Sequence, residues 1–211
     1  MMGDALPTLL AAWAAFAAAA ISPGPNMVAV ASRALGSGRA SALATAAGIA
    51  VGAFGWAMLC ALGLGALFDA APSLLRVLGF LGGTYLAWLG FKGWRAALTG
   101  EGGEIAPKEG RGLRADFLHG LVVTATNPKV ALLWASLATF VAGAATTWAA
   151  LVLFAAVSAL LAFTIYGAYG FVFSVAGVRH VYERSTRAAE GLFGTAFGLL
   201  GAAVIVRAVR G

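Results

Sequence analysis

Polar positions along this chain are few and clustered, and the apolar stretches between them are long. A helix needs about 20 apolar residues to cross a ~30 Å hydrocarbon core. Such runs are legible at about Leu6 to Leu35, Ala40 to Phe68, Leu74 to Trp94, Leu113 to Val141, Trp148 to Val175 and Ala188 to Val206. None carries the polar face that a helix on the surface of a soluble domain requires. After the third run comes "RAALTGEGGEIAPKEGRGLR", rich in glycine and charge, which reads as a loop. The pattern therefore predicts an all-α membrane protein with six transmembrane helices in a single domain, 1–211. Its halves, about 1–96 and 113–211, flank a connection of about 97–112.

Two of the runs contain a proline defect. "AAAAISPGPNMVAVASRALG", Ala17 to Gly36, holds Pro23-Gly24-Pro25, and "VVTATNPKVALLWASL", Val122 to Leu137, holds Asn127-Pro128. Proline inside a helix removes a backbone donor and clashes with the preceding turn, at a cost of about 3 kcal/mol or more. In lipid the freed carbonyls have no water to turn to. The defects fall at matching places in the first and fourth runs. Three spans followed by three spans have opposite orientation, so the expected architecture is two inverted three-helix repeats, with helices 1 and 4 broken at proline. Paired breaks of this kind point to a transporter binding site, whereas two unrelated kinks would be the plainer account.

Ser22-Pro23 and Asn127-Pro128 each read as an N-cap followed by proline at the first helical position. The first N–H groups of the new half-helices, from Asn26, Met27, Lys129 and Val130, would then be free to hold a carboxylate. Gly24 would let the backbone come close to a ligand. A lysine deep in a span is costly, so Lys129 is expected to face a cavity or a charge. No acid lies near it at helical spacing, which makes the substrate its expected counter-charge.

Composition agrees with this class. Hydrophobic residues make up 61% of 211, charged residues 10%, and the mean hydropathy is +0.90. Soluble domains carry about 25% charge. The net charge of +6 resides mostly in connections rather than in a patch with interleaved aromatics, so no nucleic-acid partner is expected. Arg33 and Arg39, then Lys92, Arg95, Lys108, Arg111 and Arg114, then Arg179, Arg184 and Arg187 fall on one face. Arg76, Arg207 and Arg210 fall on the other. The positive-inside rule makes the first face cytoplasmic and puts both termini outside. The N-terminal run has Asp4 in place of a basic region and reads as an uncleaved first span.

The remaining polar inventory is thin. Trp56, Thr84, Tyr85, Trp88, Thr124, Thr126, Tyr166 and Tyr169 could line a cavity, although each alone suits packing or an interface. Gly48 and Gly52 fit small-residue helix packing, and Cys60 suits packing as well. His119 beside Asp116 could carry a proton, or simply sit at the interface; Glu190 reads as a surface residue. There is no phosphate loop, zinc motif or nucleophile elbow, so neither an enzyme nor a cofactor is expected.

"ISPGPNMVAVASRALGSGRASALATAAGIAVG" (Ile21 to Gly52) resembles the N-terminal signature of the lysine exporter (LysE/RhtB) family of bacterial amino-acid exporters. "FLHGLVVTATNPKVALLWASLATF" (Phe117 to Phe140) resembles its second signature, and "LGFLGGTYLAWLGFKGWRA" (Leu78 to Ala96) its third helix. The resemblance spans essentially the whole chain. It implies an inner-membrane secondary transporter that expels amino acids or small derivatives, driven by protons. By motif it carries over Pro23, Gly24, Pro25, Asn26, Asn127, Pro128 and Lys129, and with Ser22 from the capping pattern these are the candidate substrate-binding residues. Some members of the family carry an acid in the second span where this chain has Ala53, Phe54 and Gly55, which leaves that site without a proton carrier. The scarcity of intramembrane acids favours neutral amino acids. Expected partners are an amino acid, protons, the lipid bilayer and a second copy in a homodimer. A passive channel, or an exporter of another small solute, is the alternative.

Overall fold

The computed structural model describes residues 2–70, 72–100, 105–141, 147–175 and 177–210. Within them the chain forms α1 (Met2–Ile21), α2 (Pro25–Ala70), α3 (Pro72–Thr99), α4 (Leu113–Thr126), α5 (Pro128–Val141), α6 (Trp148–Phe173) and α7 (Val178–Arg210), and no strand. The protein is an all-α membrane protein. Among the described residues, Pro25–Leu62 and Trp148–Phe173 are long and apolar enough to cross a membrane, and the bent pair Leu113–Thr126 and Pro128–Ala138 has that length and apolarity when taken together as one broken segment.

The element ends follow local chemistry. α1 stops at Ile21, and Ser22–Gly24 form the gap before Pro25 opens α2. α2 is itself two helices joined at Gly38, whose φ of 79° and ψ of −172° are non-helical. A positive φ costs glycine nothing, so the connection expected between the first two runs forms there with a single residue. Asn127 alone separates α4 from α5, and the two meet at 56°. α3 continues past Trp94 to Thr99, where Gly100, at φ 75°, closes it with an N–H to the Ala96 carbonyl at 2.9 Å. α7 starts at Val178, well before the expected Ala188. Apolar runs mark what lipid covers, whereas a helix extends until a breaker, here Gly177 at φ 86°.

Helices in lipid gain little from apolar contact alone, so close approach depends on small residues. α3 pairs mainly with α7, and α2 with α6 and α4. A Cβ on Gly48 would run into the Phe117 carbonyl, and one on Gly120 into that of Thr45, so α2 and α4 touch backbone to backbone. On the other pair, a Cβ on Gly90 would lie 2.7 Å from the Gly198 nitrogen. An aromatic cluster seats α5: Trp134 lies 5.2 Å from Phe16 of α1 and meets Phe154 of α6 edge-on at 5.9 Å. Cys60 is buried and its Sγ reaches the Trp134 carbonyl at 3.5 Å, in keeping with packing.

The polar connection is only partly a free loop. Ile105 is buried in the core. Lys108 N–H donates to the Ser32 carbonyl at 3.0 Å, Gly110 N–H to Ser37 Oγ at 2.5 Å, and the Arg33 guanidinium to the Glu109 carbonyl. Arg33 Nε also lies 3.2 Å from Asp116 Oδ1, while Ser41 Oγ donates to Asp116 Oδ2 at 2.5 Å. Arg33, counted above as a topological charge, is thus a buried partner of Asp116. Asp116 is committed to Arg33 and Ser41. Residues 101–104 of the expected loop, and the side chains of Arg76, Arg179, Arg184, Arg207 and Arg210, lie outside the described residues.

Candidate substrate-binding site

The two helix breaks meet inside the protein. Asn127 Nδ2 donates to Asn26 Oδ1 at 3.0 Å, and both side chains are buried. Lys129 Nζ, from the start of α5, donates to Ser22 O at 3.1 Å, Ser22 Oγ at 2.9 Å and Pro23 O at 3.1 Å. An ammonium has three protons. Here they satisfy two carbonyls and a hydroxyl that the first break leaves without helical partners.

Two further carbonyls near the helix ends find donors across the fold. Ile21 O at the end of α1 accepts from Tyr169 Oη of α6 at 2.5 Å. Thr124 O near the end of α4 accepts from Trp56 Nε1 of α2 at 3.2 Å. Each proline break is thus compensated by an aromatic donor from a helix outside it. Trp56 and Tyr169, named above as cavity candidates, donate to the breaks. Thr84 and Thr126 return their hydroxyls to their own helices, at Phe80 O and Val122 O.

The second break starts its helix as the sequence pattern predicted. Asn127 Oδ1 accepts Lys129 N–H at 3.0 Å, and Asn127 O accepts Val130 and Ala131 N–H, both at 3.0 Å. This is an N-cap with Pro128 at the first helical position. Consequently Lys129 N–H and Val130 N–H, expected to be free, are already bonded. The first break differs from its expectation too. The helix begins at Pro25 rather than Pro23, and Gly24 O takes the first intrahelical bond, from Val28 N–H at 3.0 Å. Gly24, not Ser22, is the cap, because the Ser22 oxygens are engaged by Lys129. Among the described residues, Asn26 and Met27 N–H have no hydrogen-bond acceptor. Pro25 therefore corresponds to Pro128, and Asn26 to Lys129. Each of these second helical residues reaches across to the other break.

A cavity of about 350 Å³ opens beside the junction. Ser22, Pro23, Gly24, Pro25, Asn127, Pro128 and Lys129 form one wall. Tyr85, Trp88 and Lys92 of α3 and Glu190, Phe193 and Phe197 of α7 form the others. Lys92 Nζ lies 4.8 Å from the Trp88 ring centre and Lys129 Nζ 5.2 Å from that of Phe197. Glu190 faces both lysines electrostatically, so Lys129 does have an acid within reach. A second space of about 20 Å³, room for a water, lies against Asn26, Thr124 and Tyr166. Asn26 belongs to that space, while the other candidate residues line the larger cavity. Lys92, Glu190, Phe193 and Phe197 were not among those candidates. Their signal was spacing: Tyr85, Trp88 and Lys92, and likewise Glu190, Phe193 and Phe197, recur at i, i+3, i+7 on one helix face.

An all-helical membrane protein that gathers two broken helices around a charged cavity has the build of a transporter. The chain belongs to the LysE type translocator family, whose model matches residues 17–208; it is a transporter and not an enzyme. It is 30% identical over 197 residues to a threonine efflux protein of Escherichia coli K12, covering 89% of this chain and 92% of that one. It is 32% identical over 117 residues to a homoserine/homoserine lactone efflux protein of Salmonella typhimurium, covering 56% of each chain. An uncharacterized membrane protein of Haemophilus influenzae is 27% identical over 193 residues, 90% of this chain and 92% of that one. No solved structure matches the chain.

Proposed function

We propose that this protein is a secondary transporter that exports small neutral amino acids across the bacterial inner membrane, coupled to protons. In this reading its helices form two inverted three-helix repeats and both termini lie outside. The observation that carries the proposal is the 350 Å³ cavity whose wall contains both breaks and Lys129. The efflux proteins named for threonine and homoserine support the substrate class.

The substrate carboxylate docks beside Gly24 and competes for Lys129 with Ser22 and Pro23. Charge-assisted hydrogen bonds to a carboxylate are roughly twice as strong as neutral ones. The substrate therefore draws the ammonium partly away from the first break. Because Lys129, with the Asn127–Asn26 bond, ties the second break to the first, occupancy of the cavity bears directly on how the two breaks are held together. Transport then follows from a change in that junction.

Counterflow of radiolabelled threonine in proteoliposomes, with and without a pH gradient, tests the function. Saturable counterflow, with accumulation driven by the gradient, is the expected result. Flux that is non-saturable and indifferent to the gradient would indicate a passive channel. No amino-acid flux would refute the proposal.

A further inference from the structure

Glu190 has no role in the carboxylate-binding scheme, yet it faces the same cavity as Lys129 and Lys92. It stands on α7, where a Cβ on Gly93 of α3 would lie 2.8 Å from the Glu190 carbonyl, so its backbone is held close against α3. Among the described residues its side chain makes no hydrogen bond and no ion pair within contact distance. The lysine heads, by contrast, are engaged. Lys129 is bonded to Ser22 and Pro23, and Lys92 lies over the Trp88 ring. The cavity thus presents a carboxylate with no partner among the described residues, in the field of two cations.

We infer that Glu190 binds the α-ammonium group of the substrate, and that the cavity selects zwitterions over simple carboxylates. This rests on the amino-acid export reading and specifies the other half of its recognition. A lone carboxylate drawn to Lys129 also meets the negative charge of Glu190. A lone cation drawn to Glu190 meets two lysines. A molecule carrying both charges on adjacent groups satisfies the acid and the lysine together, and neither charge is left in a partly apolar cavity without a partner. The Phe193 ring on the same wall adds a surface favourable to an ammonium.

The test compares threonine with 3-hydroxybutyrate, which keeps the carboxylate and hydroxyl and lacks the amine. Each competes against labelled threonine in counterflow, using wild type, Glu190→Gln and Glu190→Asp, with monodispersity checked first. Losing a charge-assisted bond to the ammonium costs roughly ten- to a hundredfold in affinity. Wild type is expected to prefer threonine by about that factor. Glu190→Gln should weaken threonine correspondingly while 3-hydroxybutyrate binds as well or better, and Glu190→Asp should restore part of the preference. An unchanged ratio in Glu190→Gln overturns the inference and leaves amino-acid export standing. Normal threonine affinity with loss of gradient-driven export also overturns it, because Glu190 would then serve coupling rather than recognition. If wild type shows no competition by any free amino acid, the export reading fails and the inference with it.

Discussion

Asn127 Nδ2 donates to Asn26 Oδ1 at 3.0 Å, joining two helix starts that are 101 positions apart in the chain. The same Asn127 caps its own helix through Oδ1 and the backbone oxygen. One residue therefore closes the second break and fastens it to the first. Asn127→Ala loses a cap worth about 1 kcal/mol in addition to the link to Asn26. Asn26→Ala keeps the cap and loses the link, about 0.6 kcal/mol for a hydrogen bond between membrane helices, together with the contact of Asn26 with Tyr166. Thermal unfolding in detergent should place Asn127→Ala clearly below Asn26→Ala, with the double mutant close to Asn127→Ala. Equal effects would mean that the cap is worth no more than the contact of Asn26 with Tyr166.

Lys129→Ala is expected to abolish counterflow and also to lower stability. Removing the ammonium leaves Ser22 O without a donor and Pro23 O with only the long bond from Ser22 Oγ at 3.4 Å, and a buried unsatisfied group costs about 1–3 kcal/mol. Lys129→Arg should rescue poorly, because a planar fork cannot replace a compact three-proton head among these oxygens. Transport by Lys129→Ala at the wild-type rate would reduce the residue to a structural tie.

A side chain at position 24 enters the space of Lys129. A Cβ there would lie 3.2 Å from Lys129 Nζ, so Gly24→Ala needs only a small shift of a flexible side chain. Gly24→Val presses further on the ammonium. Counterflow should fall modestly in the first and severely in the second, with smaller changes in melting temperature. Loss of folding in both variants would show that the first break cannot adjust at all.

The helix pairs depend on glycine at defined positions. Gly48→Val drives a branched side chain into the Phe117 carbonyl and should prevent the α2–α4 contact, giving aggregated or degraded protein. Gly55→Ala, where a Cβ meets nothing within 4 Å, is the matched control and should express normally. Comparable yields for the two would refute the backbone-contact account.

Orientation can be read with single cysteines in a Cys60→Ser background. Ala106 and Ala149 are exposed, one in the polar connection and one at the start of α6. Ala149→Cys should react with an impermeant thiol reagent added outside intact cells, and Ala106→Cys only after the membrane is opened. The reverse pattern inverts the orientation and the direction of transport proposed above.

The order of apolar runs, the two proline breaks and the Asn-Pro cap were all legible in the chain itself, because each depends on residues within a few positions of one another. Lipid demands long apolar segments, proline removes its own donor, and asparagine caps the turn beside it. Helix lengths were less legible, since polarity shows where lipid ends and not where a helix stops; Val178 to Ala189 is helical although polar. What occupies the freed carbonyls could not be read locally. The donors Lys129, Tyr169 and Trp56 come from 68 to 148 positions away. The role of Glu190 was hidden for the same reason. A charge near the end of an apolar run reads as interfacial, and only the close packing of α7 on α3 brings it to the cavity that Lys129 lines. Local chemistry thus determined where the helices break, and tertiary packing decided which groups meet at the breaks.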